Sequence, residues 1–439
     1  MRSPAIGLDF GTTNSSIALA SERGTELIRF AGGTPSFRSL LYLEQHQAAG
    51  RTSTEAFTGP AAISRYLGRH MAQVERPGRL IQSLKSYLAV RNLNGTEVFA
   101  RRYTLEDLIS RILRDLRAVA SEALQTDITH AVVGRPVHFV SAETDSDDAF
   151  AVDRLTGALR AAGFTQIEFL PEPIAAAYTY EATLDHDELV LIGDFGGGTS
   201  DFTLIRVGPT ARYLPREERI LGTSGVGLAG DALDARLVRH LVAPALGSTA
   251  TITSFGKPLP AVPAWIYANL ERWHYLSFLR SRNVEQILAT ARLRAASQPV
   301  TQHQIDALIT LVDEDLGYAL HQAVQATKVA LSFNESADFT FRDSGVNLRA
   351  VVSRAEFEQW ISPELAAIRH AIDVLLRETS ILPAAVDRIF LTGGTSFVPS
   401  VRRIFEDRFS IDRVVIGEAF TSVAQGLALF AHNRVDQTS

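Results

Sequence analysis

The sequence predicts an α/β protein made of two similar lobes, and three observations lead to that prediction. The chain has 439 residues, whereas a single hydrophobic core stops growing at roughly 250–300 residues. A pattern of apolar strand, Asp-Phe-Gly turn and second apolar strand occurs at residues 5–19 and again at residues 189–205. Between the two copies, short apolar strands alternate with helical periodicity, which is typical of α/β layers.

Composition and charge exclude several classes of protein. Hydrophobic residues make up 46% of the chain and charged residues 21%, which excludes a largely disordered chain. The net charge is −6, and without a basic stripe nucleic acid is not an expected partner. The absence of cysteine excludes disulfides, thiolate catalysis and cysteine-ligated zinc. No apolar run approaches the roughly 18 residues of a membrane span, so we expect a cytoplasmic protein with no membrane partner.

The elements between the two copies follow ordinary start and stop signals. Thr104 begins a helix with a capping-box pattern. A short strand over 131–133 precedes a helix that ends before Gly163, a residue suited to the left-handed position after a helix. A strand over 167–170 then leads through two prolines into a helix predicted to start at Ile174.

Residues 241–305 differ in amino-acid composition from the rest of the chain. They contain several prolines and aromatic residues, including Trp265 and Trp273. We expect a peripheral, partly helical insertion. Its aromatic side chains either pack inside the lobe or form a surface for a partner.

The order of these signals predicts the domain organisation. Lobe I covers residues 1–182, and lobe II covers residues 183–416 with one long helix at about 311–332. A third strand, at 388–391, runs into a further glycine turn. Residues 417–439 form a C-terminal helix that returns to lobe I.

The two Asp-Phe-Gly turns predict a phosphate site. Glycine and small hydroxyl residues let backbone N–H groups converge on one point, and such a concavity binds phosphate oxygens. Asp9 and Asp194, which are 185 residues apart, each end a strand beside such a turn. Because two carboxylates would repel the phosphates, a hydrated Mg²⁺ between them is implied.

Lysine usage singles out three further positions. The chain has 43 basic residues, of which only Lys85, Lys257 and Lys328 are lysines. A compact ammonium and a planar guanidinium are not interchangeable at a tight site. Each of the three lysines is therefore a candidate for chemistry.

Two other motifs match known functional signatures only in part. Asp-Phe-Gly is also a protein-kinase signature, but the His-Arg-Asp loop that accompanies it in kinases is missing from this sequence. Residues 225–230 match Gly-x-Gly-x-x-Gly, yet the acidic residue that a dinucleotide site requires about 20 residues further on is also missing. Neither a protein kinase nor a nicotinamide site is predicted.

Taken together, the motifs resemble the ATPase domain of the seventy-kilodalton heat-shock chaperone family, within the actin-like ATPase and sugar-kinase superfamily. The residues that carry the resemblance are the two hairpins, the segment 170–178 around Pro171-Glu172-Pro173, and Leu391-Thr392-Gly393-Gly394-Thr395. It extends from Ile6 to Ala431, and the YegD-like short branch is the most similar group. The resemblance implies an actin-like fold with two lobes around a central nucleotide cleft, ATP or ADP as ligand, and Mg²⁺.

The resemblance also implies roles for individual residues on the phosphate side. It implies that the catalytic residues are Lys85, Glu172, Asp194 and Thr199. It also implies that water-mediated contacts to Mg²⁺ are made by Asp9, Glu172, Asp194 and Asp201. The phosphate loops would comprise Asp9, Gly11, Thr12, Thr13, Asn14, Gly196, Gly197, Gly198 and Thr199, with Gly227, Gly230 and Asp231 near the β-phosphate.

The adenosine side departs from the family pattern. Lys328, Ser332, Gly393, Gly394 and Thr395 match it. Phe397 replaces an expected arginine, and Phe420 replaces an expected acidic residue. Phe397 either stacks on the adenine or packs in the core, so the identity of the base stays open.

The function that the resemblance implies is a slow, Mg-dependent ATPase that acts as a chaperone-like, nucleotide-driven conformational switch. Because only a short tail follows Arg434, we expect the family's peptide-binding domain to be missing, with a protein client or co-chaperone as partner. Two alternatives on the same fold are a small-molecule (sugar-type) kinase and a nucleotide-dependent filament former.

Overall fold

The computed structural model describes residues 4–48, 51–68, 77–254, 257–272, 275, 279–417 and 421–437. Trp273 and Phe420, two positions of interest in the sequence, lie outside the described residues.

The chain forms two compact units. The first consists of Met1–Ala229, Ala367–Ser396 and Val401–Ser439. The second consists of Gly230–Ala366 and Phe397–Ser400. Both Asp-Phe-Gly hairpins belong to the first unit. The predicted lobe boundaries at 182 and 416 stay predictions.

The strands are β1 (Ala5–Phe10), β2 (Asn14–Ser21), β3 (Gly24–Leu27), β4 (Phe37–Arg38), β5 (Leu40–Ala48), β6 (Arg51–Thr58), β7 (Gly78–Gln82), β8 (Thr96–Val98), β9 (Arg101–Tyr103), β10 (His130–Arg135), β11 (Gln166–Pro171), β12 (Glu188–Phe195), β13 (Ser200–Val207), β14 (Ile220–Val226), β15 (Thr251–Ser254), β16 (Lys257–Pro260), β17 (Ser336–Asp343), β18 (Val346–Ser353), β19 (Arg388–Thr392) and β20 (Val414–Ile416).

The helices are α1 (Gly59–Gly68), α2 (Leu105–Ala123), α3 (Asp145–Ala161), α4 (Glu172–Glu181), α5 (Arg216–Arg219), α6 (Gly230–Leu237), α7 (Ala243–Ala245), α8 (Ala264–Glu271), α9 (Arg282–Arg294), α10 (Pro299–Asp313), α11 (Gly317–Phe333), α12 (Arg354–Trp360), α13 (Ser362–Thr379), α14 (Pro399–Phe409) and α15 (Ser422–Gln437).

The two large sheets of the first unit have the same topology. One has the order β11-β10-β1-β2-β3, with β4 on β2, and the other has the order β20-β19-β12-β13-β14. In each sheet an antiparallel hairpin, β1–β2 or β12–β13, is flanked on its first strand by a parallel neighbour, β10 or β19. The matching sequence patterns therefore fold into matching sheets. Strand β12 is buried at every position, as expected for a central strand covered on both faces.

Two helices with small residues at their contact pack in the core of the first unit. Helix α15 packs against β1, β2 and β10, α4 packs against β12 and β13, and the two helices pack against each other. Ala175 of α4 and Gly426 of α15 lie so close that a Cβ atom on Gly426 would come within 1.7 Å of the Ala175 carbonyl oxygen. Small side chains therefore set the distance between the helices.

Most of the predicted elements are confirmed at nearly the expected positions. Thr104 caps α2, and its capping box with Asp107 is formed. Gly163 adopts a left-handed conformation (φ +103°) after α3. Helix α4 starts at Glu172, two residues before the predicted Ile174, because Pro173 fits the first turn of a helix.

The single long helix predicted over about 311–332 is wrong. The chain forms α10 and α11 instead, with a break at Asp315, which has a left-handed φ of +52°. A non-glycine residue in that region cannot continue an α-helix. The apolar periodicity runs through the break, so it gave no sign of the interruption.

The second unit contains two hairpins, β15–β16 and β17–β18, and helices that include α6 and α8 to α12. Strand β17 alternates between exposed and buried residues, with Phe339 and Phe341 inside. The described residues of the segment 241–305, which was predicted to be a partly helical insertion, form a short hairpin and helices. Within the described residues, no helix combines the length and apolar character needed to cross a bilayer.

We predict that Gly426→Ala destabilises the protein by about 1–3 kcal/mol, because the new Cβ would overlap the backbone of α4. Gly157→Ala is the matched control. Gly157 is an exposed helical glycine in α3, and a Cβ there would meet only the Glu106 side chain at 4.0 Å. Its replacement is expected to stabilise the protein by up to about 1 kcal/mol through helix propensity. Urea denaturation of both variants measures the difference, and equal stabilities would contradict the close helix packing.

Candidate functional site

Each Asp-Phe-Gly hairpin places an aspartate where its first strand ends. In β1–β2, Asp9 lies opposite Ser16. In β12–β13, Asp194 lies directly opposite Asp201. Two like charges in directly opposed positions destabilise a hairpin. The pair Asp194–Asp201 therefore indicates a site where a bound cation would offset the repulsion between the two carboxylates.

The two turns lie next to each other in the first unit. A Cβ atom on Gly198, in the second turn, would lie 3.5 Å from the hydroxyl oxygen of Thr12 in the first turn. It would also lie 3.7 Å from the Ser86 hydroxyl oxygen. Gly393, in the third glycine turn, has a left-handed φ of +85°, and a Cβ there would come within 2.0 Å of the Phe195 carbonyl oxygen. Glycine is thus required at position 393, where the third turn approaches backbone atoms, whereas Gly198 approaches side chains of its neighbours.

Lys85 is directed inward by a sharp change of backbone direction. Strand β7 ends at Gln82, and the buried Ser83 adopts a left-handed conformation (φ 54°) before a single 3₁₀ turn, Leu84–Tyr87. The Lys85 ammonium donates a hydrogen bond to Glu172 Oε1 at 2.5 Å. Both residues are 7% exposed. Glu172 is the first residue of α4 and directly follows β11, so the pair joins two distant parts of the chain.

Buried carboxylates surround this pair, so the cluster contains more acidic groups than its one ammonium can neutralise. Burial, followed by repulsion from Glu172, raises the pKa of Asp9 to about 7. Burial and Glu172 likewise raise the pKa of Asp201 to about 7 and hold that of Asp194 well above its usual range. Burial alone would lower the pKa of Lys85, but the nearby acids, Glu172 first, raise it. Lys85 is therefore a charged ammonium among four acids.

This donor set fits a hydrated cation. Among the described residues, no three acidic or histidine side chains come close enough to hold a metal ion directly. The four acids Asp9, Glu172, Asp194 and Asp201 nevertheless interact electrostatically with one another. Excess negative charge without direct ligation is the arrangement that a Mg²⁺ ion retaining its waters would meet.

The structure adds one segment that the sequence reasoning missed, residues 136–141, which follow β10. The Val137 amide donates to Asp201 Oδ1 at 2.7 Å. A Cβ on Gly198 would lie 2.8 Å from Val140 Cγ2, and one on Gly227 would lie 3.8 Å from Val140 Cα. Its position could have been anticipated, since β10 lies between β1 and β11 and the carboxyl ends of parallel strands meet at one sheet edge.

The remaining predicted residues of the glycine turns differ in their exposure to solvent. Thr12 and Thr199 are buried, whereas Gly196 and Gly227 are exposed. Gly11 is also sterically required, because a Cβ there would lie 2.0 Å from the Asn14 carbonyl oxygen. Thr13 is partly exposed, and Gly394 is exposed beside the buried Thr395.

In the second unit, Lys328 is already paired. Its ammonium lies 2.9 Å from Asp234 Oδ1 and donates to the Gly230 carbonyl oxygen at 3.0 Å. The Ser332 hydroxyl donates to the Lys328 carbonyl oxygen. Asp231 lies in the first turn of α6.

Phe397 and Lys257 also belong to the second unit. Phe397 is 38% exposed, so the alternative in which it packs in the core is not the arrangement observed. Lys257 lies in the exposed strand β16.

Comparison with known proteins relates this arrangement to one family. A family model described as Hsp70 protein matches residues 5–250 and 300–434. Chaperone protein DnaK of Thermus thermophilus is 26% identical over 415 residues, which cover 92% of this chain and 56% of the relative. The stromal 70 kDa heat shock-related protein, chloroplastic, of Pisum sativum is 24% identical over 439 residues, with 97% and 52% covered. The chaperone protein HscA homolog of Verminephrobacter eiseniae is 25% identical over 436 residues, with 98% and 58% covered.

These matches confirm the predicted fold class, the actin-like α/β fold of an Hsp70 ATPase domain. The chain spans between about half and three-fifths of the length of these relatives. The stretch that the family model leaves unmatched, 251–299, lies inside the insertion at 241–305.

The buried His321, next to the Lys328–Asp234 pair, predicts a pH dependence of stability. Burial lowers its pKa from 6.5 to about 4, although Asp234 partly opposes the shift. The unfolded chain therefore binds the proton first. About 3 kcal/mol of stability, present above pH 6.5, is expected to be lost as the pH falls towards 4.

The measurement is urea denaturation between pH 7.5 and 4.5 for the wild type and His321→Gln. The variant is expected to lose the part of the pH dependence that depends on this imidazole. His303→Gln, at an exposed position of the same unit, is the control and should keep the wild-type slope. Identical slopes in wild type and His321→Gln would contradict a neutral buried His321.

Proposed function

We propose that this chain, which belongs to the Hsp70 family, binds and slowly hydrolyses ATP in the presence of Mg²⁺ and so acts as a nucleotide-driven conformational switch. The observation that carries the proposal is the set of groups collected in the first unit. Two glycine turns lie against each other, and beside them a buried lysine–glutamate pair is surrounded by three aspartates. Burying so much like charge disfavours folding unless a ligand uses it.

The turns would bind the phosphate chain mainly through backbone groups. Strand-to-strand turns that contain Gly11, Thr12, Gly197 and Gly198 can direct several amide N–H groups to one anion. The buried hydroxyl oxygen of Thr13 has no hydrogen-bond partner among the described residues, so its hydrogen-bonding capacity is unused there. A phosphate chain held by both turns would link the hairpins β1–β2 and β12–β13. That contact exists only with nucleotide bound, which makes it able to shift a conformational equilibrium.

The Lys85–Glu172 pair would perform the chemistry. The Lys85 ammonium has three donors, of which one is engaged by Glu172. The others could stabilise negative charge that develops on the transferred phosphoryl group, in a site that excludes bulk water. The Glu172 carboxylate is held by the lysine and could accept a hydrogen bond from the attacking water. Asp9, Glu172, Asp194 and Asp201 would hold Mg²⁺ through water, and the ion when bound would neutralise phosphate charge.

Several finer features of the proposal go beyond the family assignment. The names of the relatives describe chaperones, and we therefore propose a chaperone-like role with a protein client or co-chaperone as partner. Membership of the YegD-like branch, slow turnover and a cytoplasmic location belong to the same proposal.

One experiment separates this function from its alternatives on the same fold. Purified protein is supplied with Mg-ATP while ADP, free phosphate and sedimentation are followed together. Free phosphate equal to ADP, without pelleting, supports the switch. ADP formed only when a sugar is added would indicate a small-molecule kinase, and nucleotide-dependent pelleting would indicate a filament former.

We predict that Lys85→Ala lowers steady-state ATP hydrolysis about 10²–10³-fold, because one preorganised donor at such a centre contributes roughly 3–4 kcal/mol. Nucleotide binding, measured by calorimetry, should be largely retained. Lys257→Ala is the matched control, since this lysine is exposed in the hairpin β15–β16. Its activity should equal that of the wild type. Full turnover in a folded Lys85→Ala protein would exclude Lys85 from the mechanism.

A further inference from the structure

Residues 136–141 form a loop that contacts the candidate site yet contains none of its predicted residues. The Val137 amide donates to Asp201 Oδ1, and the His138 amide also lowers the pKa of that carboxyl by hydrogen bonding. A Cβ on Gly225 would lie 2.8 Å from Asp201 Oδ1 and 3.6 Å from His138 Cδ2. The loop therefore holds one side of the aspartate and lines the second glycine turn.

A single carboxylate from outside the site anchors this loop. Asp148 is buried (8% exposed) near the start of α3. Its Oδ1 accepts the Phe139 amide at 2.8 Å, and its Oδ2 lies 2.7 Å from His138 Nδ1. Hydrogen bonds to an ionised carboxylate are about twice as strong as neutral ones. Both oxygens of Asp148 are thus committed to two consecutive residues of the loop.

Helix α3 does not need Asp148 for its own capping. The neighbouring Asp147 forms the capping box with Thr144, accepting its backbone amide at 3.1 Å and its hydroxyl at 2.8 Å. Asp147 also forms an ion pair with Arg91, whose Nε donates to Asp147 Oδ1 at 2.8 Å. The two adjacent acids therefore have separate tasks, since Asp147 caps the helix and Asp148 holds the loop.

We propose that Asp148 and His138 are positioning residues for hydrolysis. They fix the loop 136–141 so that the Val137 amide keeps Asp201 in place beside the phosphate turns. This inference rests on the proposed function. It adds two residues that touch neither the nucleotide nor the reacting atoms and that act through Asp201. Small displacements of a catalytic arrangement lower rates strongly, by about 10²-fold for a shift of 1 Å.

The test compares Asp148→Ala with Asp147→Ala, which removes the neighbouring acid and weakens the cap of the same helix. Asp148→Ala is expected to lower kcat about 10- to 100-fold, with a smaller change in the Kd for Mg-ATP. Asp147→Ala is expected to keep kcat within about threefold of the wild type while lowering Tm. Equal effects of the two variants on kcat, or no effect of Asp148→Ala, would overturn the inference.

Conservative variants at His138 distinguish positioning from general stability. An asparagine side chain can still donate to Asp148 from nearly the position of the imidazole Nδ1, whereas alanine cannot. His138→Asn is therefore expected to retain more kcat than His138→Ala at equal Tm. This pair also carries the test if Asp148→Ala fails to fold. Equal kcat values for the two variants would contradict the role of the His138–Asp148 contact.

Hydrogen exchange provides a readout that does not depend on turnover. In the nucleotide-free wild type, the amides of Val137 and Phe139 are bonded and should be protected. Asp148→Ala should accelerate exchange in the peptide that covers 136–141, and Asp147→Ala should not. If the wild type does not hydrolyse ATP, the proposed function is wrong while this measurement still tests the anchoring. If the wild type is active and Asp148→Ala is equally active, only the positioning role is wrong.

Discussion

The contact on which the site depends is the hydrogen-bonded ion pair between Lys85 and Glu172, buried with three aspartates. One ammonium cannot balance four carboxylates, and burial together with repulsion from Glu172 raises the pKa of Asp9, Asp194 and Asp201. Such a cluster contributes little to stability, because removing charges from water costs more than a single pair recovers. Its presence at the meeting point of two glycine turns is understood if a bound cation offsets the excess negative charge and allows a polyphosphate to lie beside the acids.

The fold brings these groups together by using the same sheet topology twice. In each sheet a hairpin stands beside a parallel strand, so the aspartate at the end of β1 and the aspartate at the end of β12 occupy corresponding positions. Helices α4 and α15 pack closely in the core of the same unit because Ala175 and Gly426 leave little volume between them. The position of Glu172 at the start of α4 depends on this packing, so core and site are coupled.

A supporting layer stands behind the acids that would face a ligand. Asp148 holds the loop that meets Asp201, and in the second unit Asp234 holds Lys328. In both cases a buried carboxylate fixes a neighbouring group of the same unit. Preorganisation of this kind requires that the supporting residues be satisfied before the ligand arrives.

Local rules read from the sequence were sufficient for the two hairpins, the capping box at Thr104 and the glycine at 163, because each depends on neighbours only a few residues away. Lys85 was singled out by composition and by resemblance alone. Its pairing with Glu172, 87 residues later, is a long-range contact that no local pattern encodes. The loop anchored by Asp148 was missed for the same reason, whereas the break at Asp315 was missed because the apolar periodicity runs through it. The sequence by itself determined which residues are candidates for a phosphate site, whereas only tertiary packing decided which of them share one buried, charge-coupled environment.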